Sequence, residues 1–310
     1  MYQDFYQLGL MPFENTPDPR FFFATEQHRE ALAAIEYTLH MRKGFVMVTG
    51  DIGSGKTTVA TTMRERCGSN ANILPILHGH TTPQELLRQV LRGLHIKIGK
   101  RDDHGRLLER LGDYLKSEAQ AARPLVLFVD EAQTLSDEAI EELRLLSNFD
   151  TATQKPVQVV LCGQPELRQR ICQPKFDALR QRIVMAKQLT AMTKSDVKNY
   201  INHRLAAAAR NKDNQLANFT DEAVQEVFEI SNGLPRLINV ACDNCMLLGF
   251  VQENPVIDAQ MVKHVAKDMV PSFAFETSNV NHNKQTSASS SESNPHSIHM
   301  PSRLSLTGTL

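Results

Sequence analysis

Gly50-Asp51-Ile52-Gly53-Ser54-Gly55-Lys56-Thr57 decides how this chain is read. The stretch has the spacing G-x-x-x-x-G-K-[ST]. It lies between an apolar run, Phe45-Val46-Met47-Val48, and a segment of helical character, Thr58-Val59-Ala60-Thr61-Thr62-Met63-Arg64-Glu65. Strand, glycine-rich turn and helix in that order make a phosphate-binding loop. Glycines let the backbone curl until successive N–H groups and a helix N-terminus face one anion. On that reading the backbone from Gly50 to Thr58 cradles phosphates, Lys56 neutralises β- and γ-phosphate charge, and Thr57 places its hydroxyl on Mg²⁺. A glycine-rich turn that merely ends in Lys-Thr would not explain both flanks.

Outward from the loop, strands alternate with helices. Helical spacing runs from Glu26 to Met41, with Ala31, Ile35 and Leu39 on one face. A strand is expected at Ile73-Leu74-Pro75-Ile76-Leu77, and Thr81-Thr82-Pro83 opens a helix. A further helix spans about 105 to 120, with Leu107, Leu108, Leu111 and Leu115 on one face. Pro124-Leu125-Val126-Leu127-Phe128-Val129 and Val157-Gln158-Val159-Val160-Leu161 read as buried parallel strands. The fold class is therefore α/β: a parallel sheet with helices on both faces. After about residue 190 the strand signals stop, and four helices are expected, two of them capped by Ser195 and Thr220. The division expected is an α/β domain with an N-terminal arm at 1–190, a small all-helical lid at 191–271, and a disordered polar tail at 272–310. The arm carries Pro12-Phe13 and Pro17-Asp18-Pro19-Arg20-Phe21-Phe22-Phe23. So many phenylalanines require burial, which predicts an ordered arm packed on the core.

Composition narrows the class further. A net charge of −1 over 310 residues, with no charged block, gives no global footprint for nucleic acid. No apolar run approaches the roughly 18 to 20 residues needed to span a bilayer. Met1-Tyr2-Gln3-Asp4-Phe5 has no signal-peptide character, so a cytoplasmic, reduced protein is expected. Cys242-x-x-Cys245 has no second pair and reads as buried thiols in a helix interior.

Four further positions carry chemistry. Asp130-Glu131 ends an apolar strand, where an acidic pair is costly without a partner. Beside a phosphate loop, Asp130 can hold the Mg²⁺ shell and Glu131 can orient or deprotonate the attacking water. Gln164, at the end of the 157–161 run, can contact the γ-phosphate or that water, or it is simply a turn residue before Pro165. Arg180 and Arg182 precede another apolar segment, and Arg182 is the better placed to serve a neighbour's nucleotide in trans. Gly233-Leu234-Pro235-Arg236 opens a helix, so Arg236 can couple lid position to the γ-phosphate.

Phosphate loop, Asp130-Glu131, Gln164, Arg182 and Gly233-Leu234-Pro235-Arg236, in that order and with a helical lid, resemble an AAA+ ATPase. The arm with Pro17-Asp18-Pro19-Arg20, then His28-Arg29-Glu30-Ala31-Leu32, Gly44-Phe45, Asp130-Glu131-Ala132-Gln133 and Gly163-Gln164-Pro165-Glu166-Leu167, is similar to the ExeA/GspA subgroup. The resemblance covers about residues 1–270. It implies ATP and Mg²⁺ as ligands, hydrolysis to ADP and phosphate, a homo-oligomer (ring or filament), and partners in envelope secretion, pilus or exopolysaccharide export. Lys56 and Thr57 take the loop roles, Asp130 and Glu131 the metal and water roles, and Arg236 that of the second sensor. ExeA-type proteins continue into a membrane span and a peptidoglycan-binding domain. This sequence is expected to lack both and to reach the inner membrane only through partners. A DNA-associated AAA+ regulator of transposition is the alternative, disfavoured because the only basic clusters are modest ones such as Lys97-x-x-Lys100-Arg101.

Overall fold

The apolar runs become the inner strands of one parallel sheet. The computed structural model describes residues 1–16, 18–68, 71–76, 82–119, 123–149, 155–211 and 217–273. From residue 274 on, the expected polar tail lies outside them. The arm holds α1 (Tyr2–Phe5) and a 3-10 turn at Pro19–Phe21, and α2 (Glu26–His40) follows. Next come β1 (Phe45–Gly50), α3 (Lys56–Cys67), β2 (Asn72–Ile76), α4 (Pro83–Gly93), α5 (His104–Ala119) and β3 (Leu125–Val129). The order continues with α6 (Asp137–Leu146), β4 (Val157–Gly163), α7 (Pro165–Ile171), α8 (Asp177–Arg180) and β5 (Ile183–Leu189). Beyond these lie α9 (Lys194–Ala208), β6 (Asn218–Phe219), α10 (Asp221–Ser231), α11 (Pro235–Val251), β7 (Val256–Ile257) and α12 (Ala259–Phe273).

The strand order is β2-β3-β4-β1-β5, and every pairing is parallel. Successive residues of a strand face opposite sides, so each buried strand feeds two cores. Phe45, Met47, Leu127, Val129, Val159 and Leu161 join the core beneath α4, α5 and α6. Val46, Val48, Val126, Phe128, Val160 and Cys162 join the core beneath α2 and α3. That is why the runs are apolar at nearly every position and not alternating.

Two expectations need correction. The segment after 190 is not purely helical, because β6 and β7 pair in parallel as a second, two-stranded sheet. Strands of two residues carry no readable periodicity. The cap of α9 is Thr193, not Ser195: the Thr193 hydroxyl accepts from the Asp196 N–H while the Asp196 carboxylate accepts from the Thr193 N–H. This reciprocal pair satisfies two helix-end donors. The arm is ordered and buried as expected, with Phe22 packed against the core beneath α2 and α3, and it also packs against the helical residues beyond 190. Tyr2 donates its hydroxyl to Asp243, Tyr6 donates to the Met246 carbonyl at 3.1 Å, and the Gly9 N–H donates to the Ala208 carbonyl at 2.7 Å. By contacts the chain divides into Met1–Asp268 and Met269–Leu310, and the residues discussed below all belong to the first. Among the described residues no helix is long and apolar enough to cross a membrane.

Candidate nucleotide site

Parallel strands bring their C-terminal ends to one edge, and ligands of such sheets sit there. β1 ends in the phosphate loop, β3 at Asp130-Glu131, and β4 at Gly163-Gln164. Because β4 lies between β1 and β3, the three ends are neighbours, with Thr49 opposite Gly163 and Val129 opposite Leu161.

Within the loop, Gly53 and Gly55 have φ of 81° and 97°. A Cβ on Gly55 would also stand 2.7 Å from His28 Nε2, and one on Gly53 would stand 2.7 Å from Arg236 Cβ. Both glycines are thus required by conformation and by close approach. Lys56 is 6% exposed, and its ammonium donates to the Gly50 and Asp51 carbonyls at 2.8 and 2.9 Å. It braces the loop from inside. The Ser54 hydroxyl oxygen is buried with no hydrogen-bond partner. An orphaned polar atom at the foot of the loop fits a site that takes a polar ligand.

Burial pushes the Asp130 carboxyl above its ordinary value and the Glu131 charge adds to this, while the Glu131 N–H, Lys56 and Thr57 oppose it. A carboxylate desolvated beyond what its neighbours return favours a cation. Thr57 and Asp130 supply hard oxygen donors, so these residues fit Mg²⁺. Glu131 sits in the left-handed region at φ 50°. For a residue with a side chain that conformation is costly, and such strain clusters at functional positions. Its Oε2 accepts from Gln133 Nε2 at 2.6 Å and from Gln164 Nε2 at 3.2 Å. Gln133 Oε1 in turn accepts the Gln164 N–H at 3.0 Å. Two amides thus aim one exposed carboxylate.

A cavity of about 450 Å³ joins this edge to the helical residues. The phosphate loop, Glu131, Pro235 and Arg236 line it. The Arg236 N–H points to the Gly53 carbonyl at 3.4 Å, so the start of α11 rests on the loop. Arg182 is elsewhere: its guanidinium donates to the Ser147 hydroxyl at 2.9 Å beyond the end of α6, and it does not line the cavity.

Gln133 and His28 are site residues whose roles sequence reasoning missed, although both stand in quoted motifs. His28 is 4% exposed. Its Nε2 lies 3.2 Å from the Ser54 carbonyl and its Nδ1 2.6 Å from the Thr25 hydroxyl. A carbonyl can only accept, so Nε2 carries the proton and Nδ1 accepts from Thr25. The readable signal was Thr25 three residues upstream, the N-cap of α2. Burial pushes the His28 pKa below its ordinary 6.5, although the Ser54 carbonyl and Asp196 oppose this. The unfolded chain therefore binds the extra proton first, and stability falls as pH drops below about 6.5 towards the folded value. His28→Gln can keep both hydrogen bonds without titrating. Its melting temperature should fall less than that of wild type between pH 7.5 and pH 5.5 (roughly one unit either side of the histidine pKa). Parallel curves would remove His28 as the titrating group.

Comparison with known proteins agrees with this geometry. A family model for the AAA domain matches residues 39–171. Over 252 residues the chain is 36% identical to the general secretion pathway protein A of Aeromonas hydrophila, across 81% of this chain and 45% of that protein. The chain thus spans about half the length of this relative. Among solved structures, Cdc6p from Pyrobaculum aerophilum is similar with a TM-score of 0.64 and 14% identity, over 83% of this chain and 70% of that one. The ORC2 protein of Aeropyrum pernix gives 0.62 and 15%, over 83% and 71%. At such identities the likeness is one of fold, and that fold is the P-loop AAA+ arrangement. The chain belongs to the AAA-domain proteins of the ExeA/GspA type.

Proposed function

We propose that the chain binds Mg²⁺-ATP in the cavity between the sheet edge and the helices that follow residue 190, which act as its lid, and hydrolyses it to drive or regulate assembly of an envelope secretion, pilus or exopolysaccharide export system. The observation that carries this is Glu131, aimed by Gln133 and Gln164 beside Asp130 and the phosphate loop. A nucleotide-binding module without turnover has no use for that arrangement. Mg²⁺, held by Thr57 and Asp130, would neutralise phosphate charge. The loop N–H groups from Gly50 to Thr58 and the Lys56 ammonium would bind the phosphates. Glu131 would take a proton from the attacking water, with Gln164 holding the carboxylate in place. Arg236, resting on Gly53, would relate the lid to the phosphates. Arg182 lies away from this chain's own cavity, which accords with service to a neighbouring copy in a ring or filament. Similarity to a general secretion pathway protein supports the export assignment. A cytoplasmic location, peripheral to the inner membrane through partners, is part of the same proposal.

The test is phosphate release from ATP by the purified full chain, with and without Mg²⁺ and across protein concentrations. Mg²⁺-dependent turnover that rises more steeply than protein concentration is expected, because a site completed in trans needs assembly. Absence of release at every concentration would sink the enzymatic reading. Tight, salt-sensitive binding of DNA in the presence of ATP would replace the export reading with the DNA-associated one.

A further inference from the structure

Arg204 of α9 is a buried cation that nothing above uses. It is 6% exposed. Its Nε donates to the Pro12 carbonyl, its Nη2 to the Glu14 carbonyl at 2.9 Å, and its Nη1 to the Tyr200 hydroxyl at 2.7 Å. All three acceptors are neutral. The guanidinium also lies over the Phe21 ring at 4.9 Å from the centroid, with Tyr200 at 5.5 Å. Burying a charge against neutral groups is costly, and cation–π contacts return only part of that cost. Arginine suits the position because its planar fork reaches several acceptors at once.

The hydrogen bonds continue into the arm by a second route. The Tyr200 hydroxyl donates to Asn239 Oδ1 at 2.7 Å, and Asn239 Nδ2 donates to Asn15 Oδ1 at 3.1 Å. Residues 12–15 of the arm are therefore held from α9 and α11 together. Thr16 and Phe21 to Phe23 line the same cavity as the phosphate loop, alongside Tyr200, Arg204 and Asn239. A triphosphate fixed on Gly53 to Thr57 leaves its nucleoside half to the rest of that lining. Phe21, Phe22, Phe23 and Tyr200 are its aromatic part, which suits the face of a base.

We propose that Arg204 is a positioning residue for the nucleoside half of the nucleotide, acting through residues 12–16 and 21–23 of the arm and not through the phosphates. The inference rests on the nucleotide reading above. Loss of the guanidinium frees two arm carbonyls and one face of Phe21, so the arm wall loses its place while the loop, braced by Lys56, keeps its own.

The experiment is calorimetric titration of the full chain with Mg²⁺-ATP and, separately, with Mg²⁺-tripolyphosphate, which has the phosphates and no nucleoside. Arg204→Ala should weaken ATP about tenfold or more, as expected when several hydrogen bonds to a charged group go. Tripolyphosphate should change by less than about twofold, since none of its contacts is touched. Asn15→Ala removes only the arm end of the network from an exposed position, and should weaken ATP about threefold with tripolyphosphate again unchanged. In turnover the ATP KM should rise in both variants with little change in kcat. Should Arg204→Ala fail to fold, Asn15→Ala decides alone. Equal losses for the two ligands, or no loss of ATP affinity, would overturn the proposal. A wild-type chain that binds tripolyphosphate as tightly as ATP would also overturn it. A wild-type chain that binds neither would instead refute the nucleotide reading itself.

Discussion

Lys56→Ala will lower the affinity for Mg²⁺-ATP by about 100-fold or more, with hydrolysis lost in proportion. Hydrogen bonds to charged groups contribute roughly 1.5–3 kcal/mol each, and about 1.4 kcal/mol is a factor of ten in affinity. The lysine has a second duty that this substitution also removes. Its ammonium holds the Gly50 and Asp51 carbonyls at 2.8 and 2.9 Å, and Gly50 is buried at the end of β1. A buried carbonyl left without a donor costs about 1–3 kcal/mol, so a lower melting temperature without ligand is expected as well. Titration at a temperature where the variant is fully folded separates the two effects. Binding within about tenfold of wild type, less than one charged hydrogen bond accounts for, would remove Lys56 from the phosphate site.

That double role marks the limit of what the sequence made legible. The motif spacing disclosed the loop and the order of the site residues, because glycine, lysine and threonine are there for reasons of local backbone and charge. The inner strands were legible for a similar reason. Each is buried on both faces, so its run is apolar apart from Gln158, whose buried amide is spent on the Gly44 N–H and the Lys155 carbonyl. β5 is an edge strand whose residues alternate between exposed and part-buried up to Leu189, and Lys187 and Gln188 blur its apolar character. The Thr193-x-x-Asp196 capping box is legible in the sequence, but Ser195 two residues on competes with it as a cap. Other features were not in the local sequence at all. Gln133 and Gln164 are 31 positions apart and meet only because β3 and β4 are adjacent. The arm was recognisable as buried, but no pattern in residues 1–23 names α9 and α11 as the surface that buries it. Arg204 and Asn239 likewise look like ordinary helix residues until the arm is laid against them.

Glu131→Gln should separate binding from chemistry more sharply than any other change. Among the described residues the carboxylate's hydrogen-bond partners are Gln133 at 2.6 Å and Gln164 at 3.2 Å, and the phosphate loop is not one of them. Nucleotide affinity should therefore stay within about threefold of wild type, a change smaller than one neutral hydrogen bond. Turnover should fall by about 100-fold or more, the usual contribution of a positioned general base. Both neighbouring amides donate to the same oxygen, Oε2, so a glutamine that presents its single oxygen there keeps both hydrogen bonds and its aim. The loss of turnover then reports the missing base and not a displaced side chain. The strained backbone at φ 50° is unchanged by the substitution, which keeps the variant a fair comparison in stability. The predicted signature is a folded protein that retains ATP and, if it assembles, stays assembled with ATP bound. Unchanged phosphate release from Glu131→Gln would sink the assignment of the water-activating carboxylate. Release lost together with binding would mean that Glu131 serves the nucleotide site as structure and that the base lies elsewhere.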